Sequence, residues 1–141
     1  MTAVASGKSE SGKSTAQEET AFANSEARMK YIVAIIQPDR LEDVLDKLTE
    51  REIHLVTVSN VMGRGRQKGV AEIYRSHQEG GTLLKKVRVE IAVNDAFVEG
   101  TIRAIIEGAR TGQIGDGKIF VMPLEHCVRI RTGEEGGEAI G

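Results

Sequence analysis

The chain has 141 residues, of which 28% are charged and 40% apolar, and its formal net charge is −2. This length suits one domain, and the near balance of charge argues against a dedicated nucleic-acid-binding protein. No apolar run is long enough to span a bilayer, and the first residues lack the apolar core of a signal peptide. The single Cys127 excludes an internal disulfide and a cysteine-rich zinc site. We therefore expect a cytoplasmic protein with no membrane insertion and no nucleic-acid partner.

Composition divides the chain near Met29. Residues 1–28 contain no Leu or Ile, and eight of them are Ser or Thr, so this segment has too little apolar surface to offset its ordering entropy. We expect 1–28 to be a disordered leader and 29–141 to be one folded domain. The leader carries G-K-S-E-S-G-K-S at 7–14, a formal match to the P-loop pattern. Because no buried strand precedes it and no apolar helix follows, we interpret it as a flexible leader.

The first half of the domain predicts a strand, a helix and a strand. Residues 30–37 form an apolar run rich in β-branched side chains, which is typical of a buried strand. Asp39 is a candidate helix N-cap, and helical spacing of apolar residues predicts an amphipathic helix at 39–51. A second strand is predicted at 53–62. Residues 63–84 then lose apolar periodicity and form a long loop, which is often functional.

The second half repeats the pattern. Clean alternation predicts a strand at 85–93 with one solvated face. The Asn94-Asp95 turn caps a predicted helix at 96–109. The glycine-rich turn 111–117 leads into a fourth strand at 118–122.

The end of the chain carries weaker signals. Residues 127–131 form a candidate short edge strand, and we expect the Gly- and Glu-rich tail from Thr132 to be mobile.

The order β-α-β-β-α-β predicts the ferredoxin-like fold of the α+β class, a four-stranded antiparallel sheet with both helices on one face. The other face of the sheet stays partly apolar. We expect oligomerisation to cover it.

Three basic features, two of them rich in glycine, are candidate anion sites. They are the turn 111–118, which ends in Lys118, the loop start 63–69, and the Arg129–Arg131 pair, whose side chains share a face if that segment is a strand. Each has an alternative as an ordinary loop or a pair of solvated arginines. Lys86, on the same strand as Glu90, could meet a ligand carboxylate or be a surface charge.

No catalytic set of residues emerges from the sequence. The histidines His54, His77 and His126 are scattered without metal-ligand spacing, and no nucleophile arrangement is recognisable. We therefore expect a protein that is not an enzyme.

Three separated motifs give the domain a close resemblance to the PII family of nitrogen-regulatory signal proteins. They are T-G-Q-I-G-D-G-K-I-F-V at 111–121, V-R-I-R-T-G-E at 128–134, and G-R-G-R-Q-K-G at 63–69 with E-I-Y-R at 72–75. The resemblance implies a PII-type homotrimer, with ATP or ADP in clefts between subunits and a long T-loop at about 63–84. Mg²⁺ and 2-oxoglutarate would join ATP as effectors.

The family pattern also implies ligand roles for individual residues. Nucleotide would bind at Thr57, Gly63, Arg66, Glu90, Gly115, Asp116, Gly117, Lys118, Arg129 and Arg131. Gln67 would coordinate Mg²⁺ through ATP, and 2-oxoglutarate would touch Gln67, Lys68, Gly69 and Lys86. Tyr74 and Arg75 would contact a protein target, such as an ammonium transporter in the membrane.

The loop departs from the family pattern in its second half. Glu79 stands where many relatives carry a modifiable Tyr, His77 where some carry a phosphorylated Ser, and Lys85 where Pro is usual. The resemblance therefore implies a PII-type regulator of ammonium transport or nitrogen enzymes with an altered T-loop. The alternatives are an adenylate sensor of another pathway, such as metal or bicarbonate transport, and a slow ATPase.

Overall fold

The computed structural model describes residues 29–65 and 82–141. Its strands are β1 (Met29–Ile36), β2 (Thr57–Gly63), β3 (Leu84–Asn94) and β4 (Gly117–Pro123), and its helices are α1 (Leu41–Glu50), α2 (Val98–Ala109) and α3 (Gly137–Ile140). Single 3₁₀ turns, Pro38–Arg40 and Asp95–Phe97, lead into α1 and α2. None of the helices in these two ranges has the length and apolarity that a bilayer span requires. The predicted leader, residues 1–28, lies outside the described residues.

The four strands form one antiparallel sheet in the order β2-β3-β1-β4. The central strand β1 places Ile32 opposite Ile91 of β3 and opposite Val121 of β4. On the far side of β3, Thr57 of β2 lies opposite Glu90. The sheet, with its two long helices, confirms the predicted ferredoxin-like arrangement.

One face of the sheet builds the core with α1 and α2. Because side chains alternate along a strand, every second residue of β1 and β3 points to the helices. Full burial of a Val, Leu or Ile side chain stabilises the fold by about 1.5–3 kcal/mol. The cluster comprises Ile32, Ala34, Ile36, Val44, Leu48, Ile53, Val87, Val89, Ile91, Val93, Ala104, Ile105 and Ala109.

Helices α1 and α2 approach closely at Gly108. A Cβ at this position would lie 2.6 Å from the Cα of Val44 and 2.9 Å from the carbonyl carbon of Asp43. The Arg40 guanidinium donates from Nε and Nη2 to the Gly108 carbonyl oxygen, at 3.0 and 2.8 Å. A cation at the carboxyl end of a helix satisfies a carbonyl that has no partner within the helix. Because a Cβ at position 108 would clash with the α1 backbone, glycine is required for this helix contact.

The opposite face of the sheet is partly apolar and open. Phe120 and Met122 of β4 are 48% and 40% exposed, and they lie beside Val33 and Tyr31 of β1. Single exposed apolar residues are ordinary, but adjacent ones on a sheet face mark a surface suited to association. This face is the one for which the sequence predicts a covering partner.

One predicted strand start and two predicted helix caps were wrong. The second strand begins at Thr57 and not at residue 53, because Ile53 donates its N–H to the Leu48 carbonyl oxygen (2.9 Å) and fills the core instead of joining the ladder. Asp39 is not an N-cap, since it lies inside the 3₁₀ turn, and the turn's N-cap, Gln37, makes no side-chain capping bond. The Asn94-Asp95 turn likewise precedes α2 without a side-chain cap.

The segment 127–131 is not an edge strand. Only Val128 forms a bridge, to Glu135, within a local turn. The Gly133 N–H bonds the Arg129 carbonyl oxygen at 2.7 Å, and Gly136 has a positive φ of 77°, so the chain folds back on itself. The expected mobile tail instead includes α3, in which Ala139 is buried.

Candidate functional site

The glycine-rich turn between α2 and β4 is fixed by its own side chains. The Asp116 carboxylate accepts hydrogen bonds from the N–H groups of Thr111 (2.8 Å) and Gly112 (2.9 Å) and from the Thr111 hydroxyl. These bonds hold the pKa of Asp116 below its usual range, with the Thr111 hydroxyl as the largest cause. Gln37 Nε2 donates to the Gly115 carbonyl oxygen at 2.8 Å. Hydrogen bonds within the protein therefore organise this turn.

Gly117 brings this turn against the end of β1. Its φ is +105°, and a Cβ would lie 1.8 Å from the carbonyl oxygen of Ile35. No other residue type fits both the backbone conformation and the contact. The sequence predicts glycine here for anion binding, and the structure adds this packing reason.

The turn forms one wall of a cleft of about 490 Å³ at the end of the sheet. The other walls are the end of β2 and the side chain of Lys86 on β3, and burial lowers the pKa of the Lys86 amine. The cleft thus brings together six of the residues that the sequence singles out. They are Gly63, Lys86, Gly115, Asp116, Gly117 and Lys118.

Thr57 and Glu90 lie apart from this cleft. They face each other on β2 and β3 and line a second cavity of about 340 Å³, with Tyr31 and Cys127 nearby. The Tyr31 hydroxyl donates to Glu90 Oε1 at 2.8 Å, and Arg88 Nη2 lies 3.2 Å from the same oxygen. Burial, followed by the Glu90 bond, raises the pKa of Tyr31. No local sequence pattern singles out Tyr31, because only the sheet register brings it beside Glu90.

The arginine pair does not share a strand face, because its segment is a turn. Arg129 Nη1 pairs with Glu134 Oε1, and Arg129 Nη2 donates to the Glu138 carbonyl oxygen at 3.0 Å. Arg131 is exposed. Neither arginine is among the residues that line the two cavities. The geometric reason that the sequence offered for an anion between them is therefore wrong.

The remaining predicted site residues lie outside the described part of the chain. They are Arg66, Gln67, Lys68, Gly69, Tyr74 and Arg75, together with the altered loop positions His77 and Glu79. Within 29–65 and 82–141, no group of three His, Cys, Asp or Glu residues could hold a metal ion.

The order of the strands, the glycine turn and the cleft all agree with one family. A sequence model described as "Nitrogen regulatory protein P-II" matches residues 29–134. The chain belongs to the P-II family.

Curated members of the P-II family are similar to this chain over 79% of its length. Nitrogen regulatory protein GlnK1 of Methanosarcina mazei is 53% identical over 114 residues, 97% of its own chain. Nitrogen regulatory protein P-II of Azospirillum brasilense is 51% identical over 112 residues, its whole length. These relatives confirm the resemblance that the three motifs predict, and the chain is a nitrogen-regulatory P-II signal protein by family.

A solved structure of the P-II family shares the fold. The crystal structure of Arabidopsis thaliana PII bound to citrate matches with a TM-score of 0.64 and 40% identity. The match covers 79% of this chain and 88% of that one. It confirms the ferredoxin-like α+β fold.

Proposed function

We propose that this P-II protein is a metabolite sensor that binds ATP or ADP and, with Mg-ATP, also 2-oxoglutarate. The cleft between the 111–118 turn, the end of β2 and Lys86 is the observation that supports the proposal. Its glycines let backbone and ligand approach closely. Lys86 and Lys118 add two amines that can meet phosphate or carboxylate oxygens.

A homotrimer would complete the site. In one protomer, the cleft with Lys118 and the cavity with Glu90 are separate, and Arg129 and Arg131 lie on a third segment. A neighbouring subunit packed on the open sheet face would cover Phe120 and Met122. It would also place its arginines near a cleft that is not its own. The exposed apolar strip and the divided set of site residues support this assembly.

The connection between β2 and β3 would transmit the ligand state. Gly63, Arg64 and Gly65 at its start and Lys86 just after its end line the same cleft. A ligand there would touch both ends of the T-loop and shift its population of conformations. Tyr74 and Arg75 on that loop would then contact a protein target, such as an ammonium transporter or an enzyme of nitrogen metabolism.

Charge balance favours loading by anions. The cations assigned to the site are Arg66, Lys86, Lys118, Arg129 and Arg131. Mg-ATP and 2-oxoglutarate each bring a charge of about −2, which would compensate a cluster that is otherwise mutually repulsive. Mg-ATP at a hundredfold excess over its Kd should stabilise the fold by about 2.7 kcal/mol. An unchanged melting temperature under these conditions would contradict the proposed cleft.

Calorimetric titration tests the proposal directly. ATP is titrated with Mg²⁺, and 2-oxoglutarate is titrated with and without Mg-ATP. We expect 2-oxoglutarate to bind only when Mg-ATP is present. Lys86→Met should abolish 2-oxoglutarate binding and leave most ATP affinity, since Lys86 would meet the carboxylate. Phe97→Ala, at an exposed position away from the cleft, is a control that should retain both.

Other results would redirect the assignment. Adenylate binding without any response to 2-oxoglutarate would favour an adenylate sensor of another transport pathway. Sustained ATP turnover abolished by Lys118→Ala would favour the slow ATPase. We expect no such turnover, since no general base is evident in the sequence.

A further inference from the structure

Arg129 is held by acceptors from the turn that follows it and from α3. Its Nη1 meets the Glu134 carboxylate, and its Nη2 meets the Glu138 carbonyl oxygen. The Glu134 carboxylate is itself anchored, since the Thr132 hydroxyl donates to Oε1 at 2.8 Å. The Arg129 N–H also bonds the Glu134 carbonyl oxygen at 2.8 Å. Side chain and backbone thus hold Arg129 and Glu134 together.

We propose that Glu134 competes with the bound anion for Arg129 and so sets the affinity of the site for phosphate-bearing ligands. This inference rests on the proposed function, in which Arg129 meets nucleotide phosphate. Carboxylate and phosphate oxygens use the same guanidinium donors. Glu134 occupies a donor on Nη1 of Arg129, so a phosphate that binds through this same donor must displace the Glu134 carboxylate.

Exposure of the pair makes this displacement feasible. The side chains of Arg129 and Glu134 are 30% and 41% exposed, so water and ligand reach both. Ion pairs of such exposure are weak enough to exchange with a phosphate of higher charge. A released Glu134 keeps a partner, because the Thr132 hydroxyl is already bonded to it. Adenosine carries no phosphate, so its binding should not depend on Glu134.

The test compares ATP and adenosine binding by calorimetry at fixed ionic strength. Glu134→Gln should tighten ATP binding about two- to fivefold and leave adenosine binding unchanged. Glu134→Asp keeps the charge but withdraws the carboxylate by one methylene, so it should tighten ATP binding less. Glu125→Gln, at an exposed position outside the turn, controls for the loss of one negative charge. It should keep wild-type affinity.

Removing Arg129 separates competition from general charge. In an Arg129→Ala background, Glu134→Gln should no longer affect ATP binding. Tightening that persists without Arg129, or equal tightening in Glu125→Gln, would overturn the competition. Weaker ATP binding in Glu134→Gln would also overturn it and would make Glu134 a positioning residue for Arg129. A wild-type protein that binds no ATP would instead refute the proposed function, and this inference with it.

Discussion

Replacing Gly108 by alanine tests the closest contact of the fold. Alanine in a helix normally stabilises by about 0.5–1 kcal/mol relative to glycine. Here the new Cβ would lie 2.6 Å from Val44 Cα and 2.7 Å from Val44 N, and main-chain atoms cannot rotate away. Ordinary carbon contacts are roughly 3.5–4 Å, so α1 and α2 must separate by about 1 Å. Overpacking of this kind costs about 1–3 kcal/mol.

The separation would also weaken the two bonds from Arg40 to the Gly108 carbonyl oxygen, each contributing about 0.5–1.5 kcal/mol. We therefore expect a net loss of about 1–3 kcal/mol in the free energy of unfolding. Urea unfolding followed by far-ultraviolet circular dichroism measures it. At typical slopes the midpoint should fall by roughly 0.5–2 M. Protein concentration must be fixed, because assembly couples to stability.

Gly100 provides the matched control on the same helix. A Cβ there would lie 3.9 Å from the flexible Arg51 side chain, which is an ordinary contact. Gly100→Ala should therefore raise stability by about 0.5–1 kcal/mol. A Gly108→Ala protein as stable as the wild type, or as the Gly100→Ala protein, would refute the reasoning from helix contact.

Three further predictions concern the cleft. Gly117→Ala should destabilise the fold more than Gly112→Ala, because both positions have positive φ but only a Cβ at Gly117 would meet a backbone oxygen. Thermal unfolding of the two variants measures the difference, and equal falls in melting temperature would contradict the clash. Asp116 has a lowered pKa, so its contribution to stability is complete above pH 3.8 and is lost as pH falls through the folded-state value. Asp116→Asn should therefore flatten the acid limb of the stability curve, and an unchanged limb would count against the Thr111 bonds. Burial lowers the pKa of Lys86, so the unfolded chain binds its proton more tightly and stability rises with pH from the folded-state value to 10.5. Lys86→Met should raise the melting temperature of the ligand-free protein at pH 7, and a fall would show that the amine stabilises the fold.

Much of the fold could be predicted because its signals are local. The alternation at 85–93 and the helical spacing at 96–109 are patterns among residues only a few positions apart in the chain. Each pattern matches an observed element. The motif 111–121 is also continuous in the chain and predicts the family that the comparisons confirm. Local signals failed at the ends of elements. Ile53 has strand-like neighbours, but a bond to Leu48 after α1 keeps it out of the sheet.

The sequence by itself determined the elements, their order, the family and the residue types available for anion binding, because periodicity and motifs need no distant partner. The tertiary structure alone decided which of those residues meet. Strand register separates Glu90 from the cleft that holds Lys118 and joins it to Tyr31. A turn of the backbone brings Arg129 into an ion pair with Glu134. These outcomes depend on contacts between residues far apart in the chain or on a backbone reversal, and the spacing of side chains along a strand cannot encode them.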